Sequence, residues 1–360
     1  MGIRFSHWIL GLGLAIATQI MMPTPSQANP QLDALIEQGN EQVQNQNFAQ
    51  AITSYSEAIK LDGQNARLFS ALGYANAQMK NYGEAAIAYQ RAVQLENDNP
   101  QFYFALGYSL ANSGDNLNAM NAYQRAVQLK PDSEEYQLGL ATVLFRLERY
   151  QEALDAYGQV LARDNQNADA IKNSIASLLQ LRRNQDALAM LNNAFSKLPT
   201  DGDLRVQAAI TWFGLGDKPK AIAFLEEARR LSPRDFRVQL KVGKIYENQN
   251  MLPEAIAAFQ RAVEVEPNTP EGLFSLGGAA LSSQDYLTAI IAYRQLSELL
   301  PNEPLAHEQL ALALEGRSRH DEALESLKTA RQLYKFQGNT QGVTRVDALL
   351  EAIAIKSMSK

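Results

Sequence analysis

Cysteine is absent from the 360 residues, and histidine occurs three times. Without cysteine there is no thiol catalysis, disulfide staple, thiolate metal site or lipidated N-terminal cysteine. The chain also lacks a G-x-x-x-x-G-K-[ST] loop, an H-E-x-x-H helix and a G-x-S-x-G elbow. The phosphate-cradling, zinc-peptidase and nucleophile-elbow chemistries of those motifs have no seat here. No long basic tract occurs and the formal net charge is −6. That argues against nucleic acid, because phosphate binding needs a dense cationic face.

Long apolar runs are also scarce. The longest, Trp8 to Met22, has 15 residues including Thr18 and Gln19, short of the ~20 that cross a bilayer as a helix. It follows "MGIRFSH", with one Arg and no acid, and precedes "PTPSQA", where Ser26 and Ala28 have cleavage-site spacing. This three-part pattern predicts a secretory signal peptide over residues 1–28, cut after Ala28. The alternative is a retained anchor formed by residues 8–22. "MGIRFS" formally fits a myristoylation signal, which the apolar run behind it disfavours. Removal of the leader takes Arg4 away and leaves 39 acids against 32 bases. The expected location is exported, periplasmic or lumenal.

The remainder is 34-residue periodic. Stepping from Ala51 gives Ala85, Ala119, Ala153, Ala187, Ala221, Ala255, Ala289 and Ala323. Four residues later stand Tyr55, Tyr89, Tyr123, Tyr157, Leu191, Leu225, Phe259, Tyr293 and Leu327. Three further on the residue is Ala in seven repeats, with Val160 and Leu296 in the others. Small, large, small at i, i+4 and i+7 marks one helix face. Twelve residues before each alanine lies a second signal: Gly39, Gly73, Gly107, Gly243 and Gly277, with Ala141, Ala209 and Ala311 elsewhere. Pro131, Pro199, Pro233, Pro267 and Pro301 mark the far end of the repeats, where proline stops a helix.

This pattern resembles the tetratricopeptide repeat (TPR), a helix–turn–helix module. Nine repeats fill residues 32–337 after a short segment, 29–31, and residues 338–360 read as a closing helix and tail. Val343, Val346, Leu350 and Ile353 share one side of that helix. The resemblance implies an all-α superhelical solenoid whose first helices line a concave groove. Ile175 departs from the Gly/Ala pattern, and Asn97 and Asn165 replace the usual proline; each is expected to loosen its own repeat.

By the resemblance, the second, fifth, sixth, ninth and twelfth residues of each repeat lie on or near the groove. Tyr74 and Tyr108 hold the ninth position, and either face the groove or pack. Phe104 and Phe145, nearby, read as packing residues. Some TPR proteins grip a partner's C-terminal carboxylate with five residues from three repeats. That pattern falls here on Lys172, Ala176, Gln207, Arg237 and Lys241, with Lys244 a substitute for what Ala176 lacks. Arg237, Lys241 and Lys244 follow i, i+4, i+7 on one helix face. The same residues also read as a solvated charged face.

Catalysis finds no constellation. His307 and His320 share the ninth repeat, and "RHDE" at 319–322 either seats a metal with Asp321 or forms a solvated turn, the better-supported reading. The chain therefore reads as a non-enzymatic exported scaffold, without a cofactor. It is expected to bind proteins or peptides, in particular an acidic segment or free C-terminus, and to touch a membrane only through an uncleaved anchor. Alternatives that the resemblance admits are a metal-handling assembly factor of a membrane complex, such as a cyanobacterial photosystem, or a docking subunit of an enzyme. Protein from the native host is expected to begin at Asn29 on N-terminal sequencing. An intact Met1 or Gly2 on membrane-extracted protein would favour the anchor.

Overall fold

The computed structural model describes Pro23 and residues 29–358. Apart from Pro23, the expected leader or anchor lies outside the described residues. The described residues form nineteen helices and no strand. The fold divides between Lys197 and Leu198 into two compact lobes. The N-terminal lobe holds α1 (Pro30–Gln44), α2 (Phe48–Leu61), α3 (Ala66–Gln78), α4 (Tyr82–Leu95), α5 (Pro100–Ser113), α6 (Asn116–Leu129), α7 (Glu134–Arg146), α8 (Tyr150–Arg163), α9 (Ala168–Gln180) and α10 (Asn184–Lys197). The C-terminal lobe holds α11 (Gly202–Gly214), α12 (Lys218–Leu231), α13 (Phe236–Asn248), α14 (Leu252–Val265), α15 (Pro270–Ser282), α16 (Tyr286–Leu299), α17 (Pro304–Gly316), α18 (His320–Phe336) and α19 (Thr340–Met358).

Local sequence sets the start of most first helices and the end of every one. Asn65, Asn99, Ser133, Asn167, Asp201 and Asp235 accept side-chain hydrogen bonds from first-turn N–H groups, which satisfies donors that a helix start leaves open. At the other end Gln46, Lys80, Gly114, Glu148, Arg182, Gly216, Asn250, Gln284 and Ser318 all take positive φ. The residue after each sends its N–H back five places, as Asn47 does to Gln42 and Asp285 to Ala280. This is the Schellman closure, whose left-handed residue reverses the chain within a short turn. Gly114, with nothing within 4 Å of a would-be Cβ, has φ +94°.

The two helices of a repeat then meet through matched volumes. An added Cβ on Gly39, Gly73, Gly243 or Gly277 would come within 3.0 Å of the ring of Tyr55, Tyr89, Phe259 or Tyr293 respectively. The glycine is the space that the ring fills. Where the second helix carries Leu191, Leu225 or Leu327 instead, the first carries Ile175, Ala209 or Ala311, and all six are buried. Ile175 faces the same residue type, leucine, that alanine faces in two other repeats, and α9 and α10 are the least extensively packed pair of the nine.

Within each lobe the first helices also touch one another: α3–α5, α5–α7 and α7–α9 in one, α11–α13 and α13–α15 in the other. Second helices do not approach one another to that extent among the described residues. The first helices therefore form the inner face of each stack. In the C-terminal lobe α19 closes the stack, with Val346 and Ile353 buried and Val343 and Leu350 packed against the same core. Arg345 forks onto the buried Glu308 carboxylate at 2.5 and 2.7 Å, and Tyr334 Oη donates to it at 2.8 Å. Burial, reinforced by Glu308, pushes the Tyr334 phenol up to about 12.

The matched volumes are exchangeable. Gly243→Ala alone is expected to destabilise the protein by the ~1–3 kcal/mol typical of overpacking, because its Cβ would meet the Phe259 ring. Adding Phe259→Leu, which copies the Ala209–Leu225 pair, should recover most of that loss. Urea unfolding reads the energies, and hydrogen exchange should confine the damage near α13 and α14, because repeats contact only their neighbours. A double variant no more stable than the single one would refute the exchange.

Candidate functional site

The inner face of the C-terminal lobe carries most of the cations singled out by the sequence. Asp235 caps α13 through the N–H groups of Arg237 and Val238, which starts the Arg237, Lys241, Lys244 row at the helix mouth. Arg237 is exposed, whereas Lys241 and Lys244 are half-buried. Lys241 Nζ meets Asp203 Oδ1 of α11 at 2.5 Å, and Lys244 Nζ meets Glu271 Oε1 of α15 at 2.8 Å. The two pairs join three successive first helices. Gln207 is half-buried one turn beyond Asp203 on α11. Beside Lys244, burial raises the Glu247 carboxyl above its ordinary value, against the opposing pull of the lysine.

Next to the Lys244–Glu271 pair opens a cavity of about 480 Å³. Pro270, Phe274 and Ser275 of α15 form one wall, Leu296 and Leu300 come from the end of α16, and Glu303, Leu305 and Ala306 from the start of α17. Phe274 is 41% exposed, its edge against Tyr293 at 6.1 Å between centroids. A comparison within the chain explains the opening. Phe104, at the same repeat position as Phe274, is 1% exposed because Tyr136 stacks on it at 4.9 Å. The position of Tyr136 is taken in the ninth repeat by Ala306. The cavity is the room that the missing ring would occupy.

Lys172 is half-buried on α9, in the N-terminal lobe, so the five-residue clamp pattern does not fall within one compact body. Ala176 is buried. Tyr74 and Tyr108 are half-buried on the inner face of α3 and α5. Each packs edge-on against an aromatic of the preceding repeat, Tyr74 on Phe48 at 6.2 Å and Tyr108 on Tyr82 at 6.1 Å. Burial raises both phenols above the ordinary tyrosine value, with Tyr82 adding to the rise at Tyr108. Phe145 is buried and joins Phe104 in the core. His320 Nδ1 lies 2.6 Å from Glu315, and His307 Nε2 lies 3.0 Å from the Pro301 carbonyl. Among the described residues no three His, Asp or Glu side chains gather as metal ligands, and no helix is long and apolar enough to cross a membrane.

The sequence had marked Lys244 but not the cavity beside it. The available signal was Phe274 at the fifth position followed by apolar Leu305 at the second position of the next repeat. Its remaining walls come from a second helix and are visible only in three dimensions.

Comparison with known proteins agrees with this architecture. Family models described as tetratricopeptide repeat match residues 36–100, 178–241 and 240–304, and one described as anaphase-promoting complex, cyclosome, subunit 3 matches 78–160. A TPR repeat-containing protein of Picosynechococcus sp. is 56% identical over 78 residues, 22% of this chain and 20% of its own. The chain thus spans about a fifth of the length of that relative. The crystal structure of a tetratricopeptide repeat protein from Parabacteroides merdae superposes with a TM-score of 0.58 at 19% identity, covering 70% of this chain and 99% of that one. At that identity the likeness is one of fold. With tetratricopeptide models covering more than half of its length and helix pairs recurring every 34 residues, the chain belongs to the tetratricopeptide repeat family.

Proposed function

We propose that this chain is an exported, non-catalytic scaffold that docks an extended protein segment on the inner face of its C-terminal lobe. The cavity beside Phe274 takes a large apolar side chain of that segment. The Arg237, Lys241, Lys244 row faces an adjacent acidic residue or terminal carboxylate. One observation carries the reading: an accessible apolar cavity, floored by Phe274 and Leu300, opens directly against an ion pair on the face where first helices meet.

Magnitudes rank the contacts. Burying a large apolar side chain is worth about 1.5–3 kcal/mol, roughly ten- to a hundredfold in affinity. The Lys244–Glu271 pair is 31% and 43% exposed, and such pairs contribute about 0–1 kcal/mol. Exchanging Glu271 for an incoming carboxylate is therefore close to neutral. Affinity comes from the cavity, and the charges set orientation.

The test is fluorescence anisotropy with a panel of labelled peptides in which Leu, Phe or Trp precedes Asp, Glu or a free C-terminus. Ala306→Tyr, which supplies the missing ring, is expected to lower affinity at least tenfold with helical content unchanged. Arg237→Glu with Lys241→Glu should cost less, most of it at low salt, where screening is weakest. Lys328→Glu, an exposed residue paired within its own helix to Glu325, serves as the control. Binding by Ala306→Tyr equal to the parent, or no binding by any peptide, would end this reading.

A further inference from the structure

Phe336 is the most exposed large apolar side chain among the described residues, at 91%. The other eight repeats carry Gln, Asp, Thr, Arg or Asn at its position. There the position falls in the turn after the second helix, whereas α18 runs on for 17 residues and carries Phe336 in its last turn. One exposed ring means little by itself. Its surroundings give it meaning. Gln337, next in the chain, donates from Nε2 to the Asn302 carbonyl at 3.4 Å, and Glu303, directly after Asn302, lines the cavity beside Phe274. The ring and the cavity therefore flank neighbouring turns, α18–α19 and α16–α17, on one edge of the C-terminal lobe.

The two features also match in chemistry. Phe274 sets its edge against Tyr293 and stays 41% exposed. The equivalent Phe104 is covered by a second ring, Tyr136, stacked at 4.9 Å with 25° between planes. Phe274 thus offers an aromatic ring the cover that Ala306 does not supply. Lys335, exposed beside Phe336, carries a positive charge suited to the two carboxylates of the cavity, Glu271 and Glu303.

We propose that this cavity binds a second copy of the chain. Phe336 of each copy enters the cavity beside Phe274 of the other, and Lys335 faces Glu271 and Glu303 there. Two-fold pairing satisfies both contacts at once, the reciprocity of an isologous interface. Because ring and cavity share one edge, the assembly closes at two copies. The dimer uses the same cavity as the docking reading, so a client must displace Phe336 to enter. It needs no client, and the two readings fail separately.

Sedimentation velocity of the full chain across a wide concentration range reads the assembly. The parent is expected to pass from monomer to dimer and stop there. Phe336→Ser removes two rings from each dimer, each worth roughly tenfold or more, and should raise the dimer dissociation constant at least about a hundredfold. Helical content should be unchanged, since the ring touches little of its own molecule. Ala306→Tyr, which fills the cavity, should weaken the dimer as strongly. Mixed together, the two variants present one intact ring to one open cavity and should pair more tightly than either does alone. Phe336→Ser keeps the cavity open and should bind the labelled peptides at least as well as the parent. Peptides that fail to bind, beside a dimer that needs both positions, would sink the docking reading and leave the dimer standing. A parent that stays monomeric, a dimer indifferent to Phe336→Ser, growth beyond two copies, or variants that pair no better mixed than apart would overturn the proposal.

Discussion

The packing of a large side chain on the second helix into the room left by a small one on the first is the constraint on which the rest depends. It sets how closely the two helices of a repeat approach. That distance decides which positions of the first helix remain on the inner face and which are sealed. Gly39 with Tyr55 and Gly243 with Phe259 are the tightest forms of the contact. Ala209 with Leu225 and Ile175 with Leu191 divide the space differently and are also buried. Gly–aromatic and Ala–Leu pairs fill comparable volume, as close-packed interiors permit, whereas Ile175 adds volume in the least extensively packed pair, α9 and α10.

Charges on the inner face of the C-terminal lobe are subordinate to that packing. Lys241–Asp203 and Lys244–Glu271 link consecutive first helices, and each is too solvated to hold the stack alone. The Arg345–Glu308 pair at the end of the stack differs in kind. Glu308 is 3% exposed and reached by two guanidinium contacts and a phenol. Losing its partners would strand a buried carboxylate, a far larger penalty than breaking a surface pair.

Repetition made the fold legible. Each buried position is written nine times, so Ala51 and its eight counterparts identify a helix contact that a single alanine never would. The capping face of Val346 and Ile353 was readable for a different reason, a helical period with an apolar stripe. The turns were not readable. Their left-handed residues include Gln46, Lys80, Glu148, Arg182, Gln284 and Ser318, because the closure tolerates a modest backbone penalty rather than demanding glycine. Ile175 was legible as a departure, and it falls in the least extensively packed helix pair, α9 and α10.

Site residues were the least legible, and the reason is physical. A binding feature lies where one repeat differs from the others, so the periodicity that reveals the fold carries no information about it. Phe104 and Phe274 share a repeat position, yet one is sealed and the other exposed. The difference lies 32 residues further along, in Tyr136 against Ala306. The same holds for charge: Arg237 and Lys241 are one turn apart, but only Lys241 reaches the Asp203 carboxylate of the preceding first helix. In a stacked array, exposure at one position is decided by the occupant of another position in the neighbouring repeat. Binding specificity is therefore a property of adjacent repeats taken together, and it arises where a covering side chain has been withdrawn.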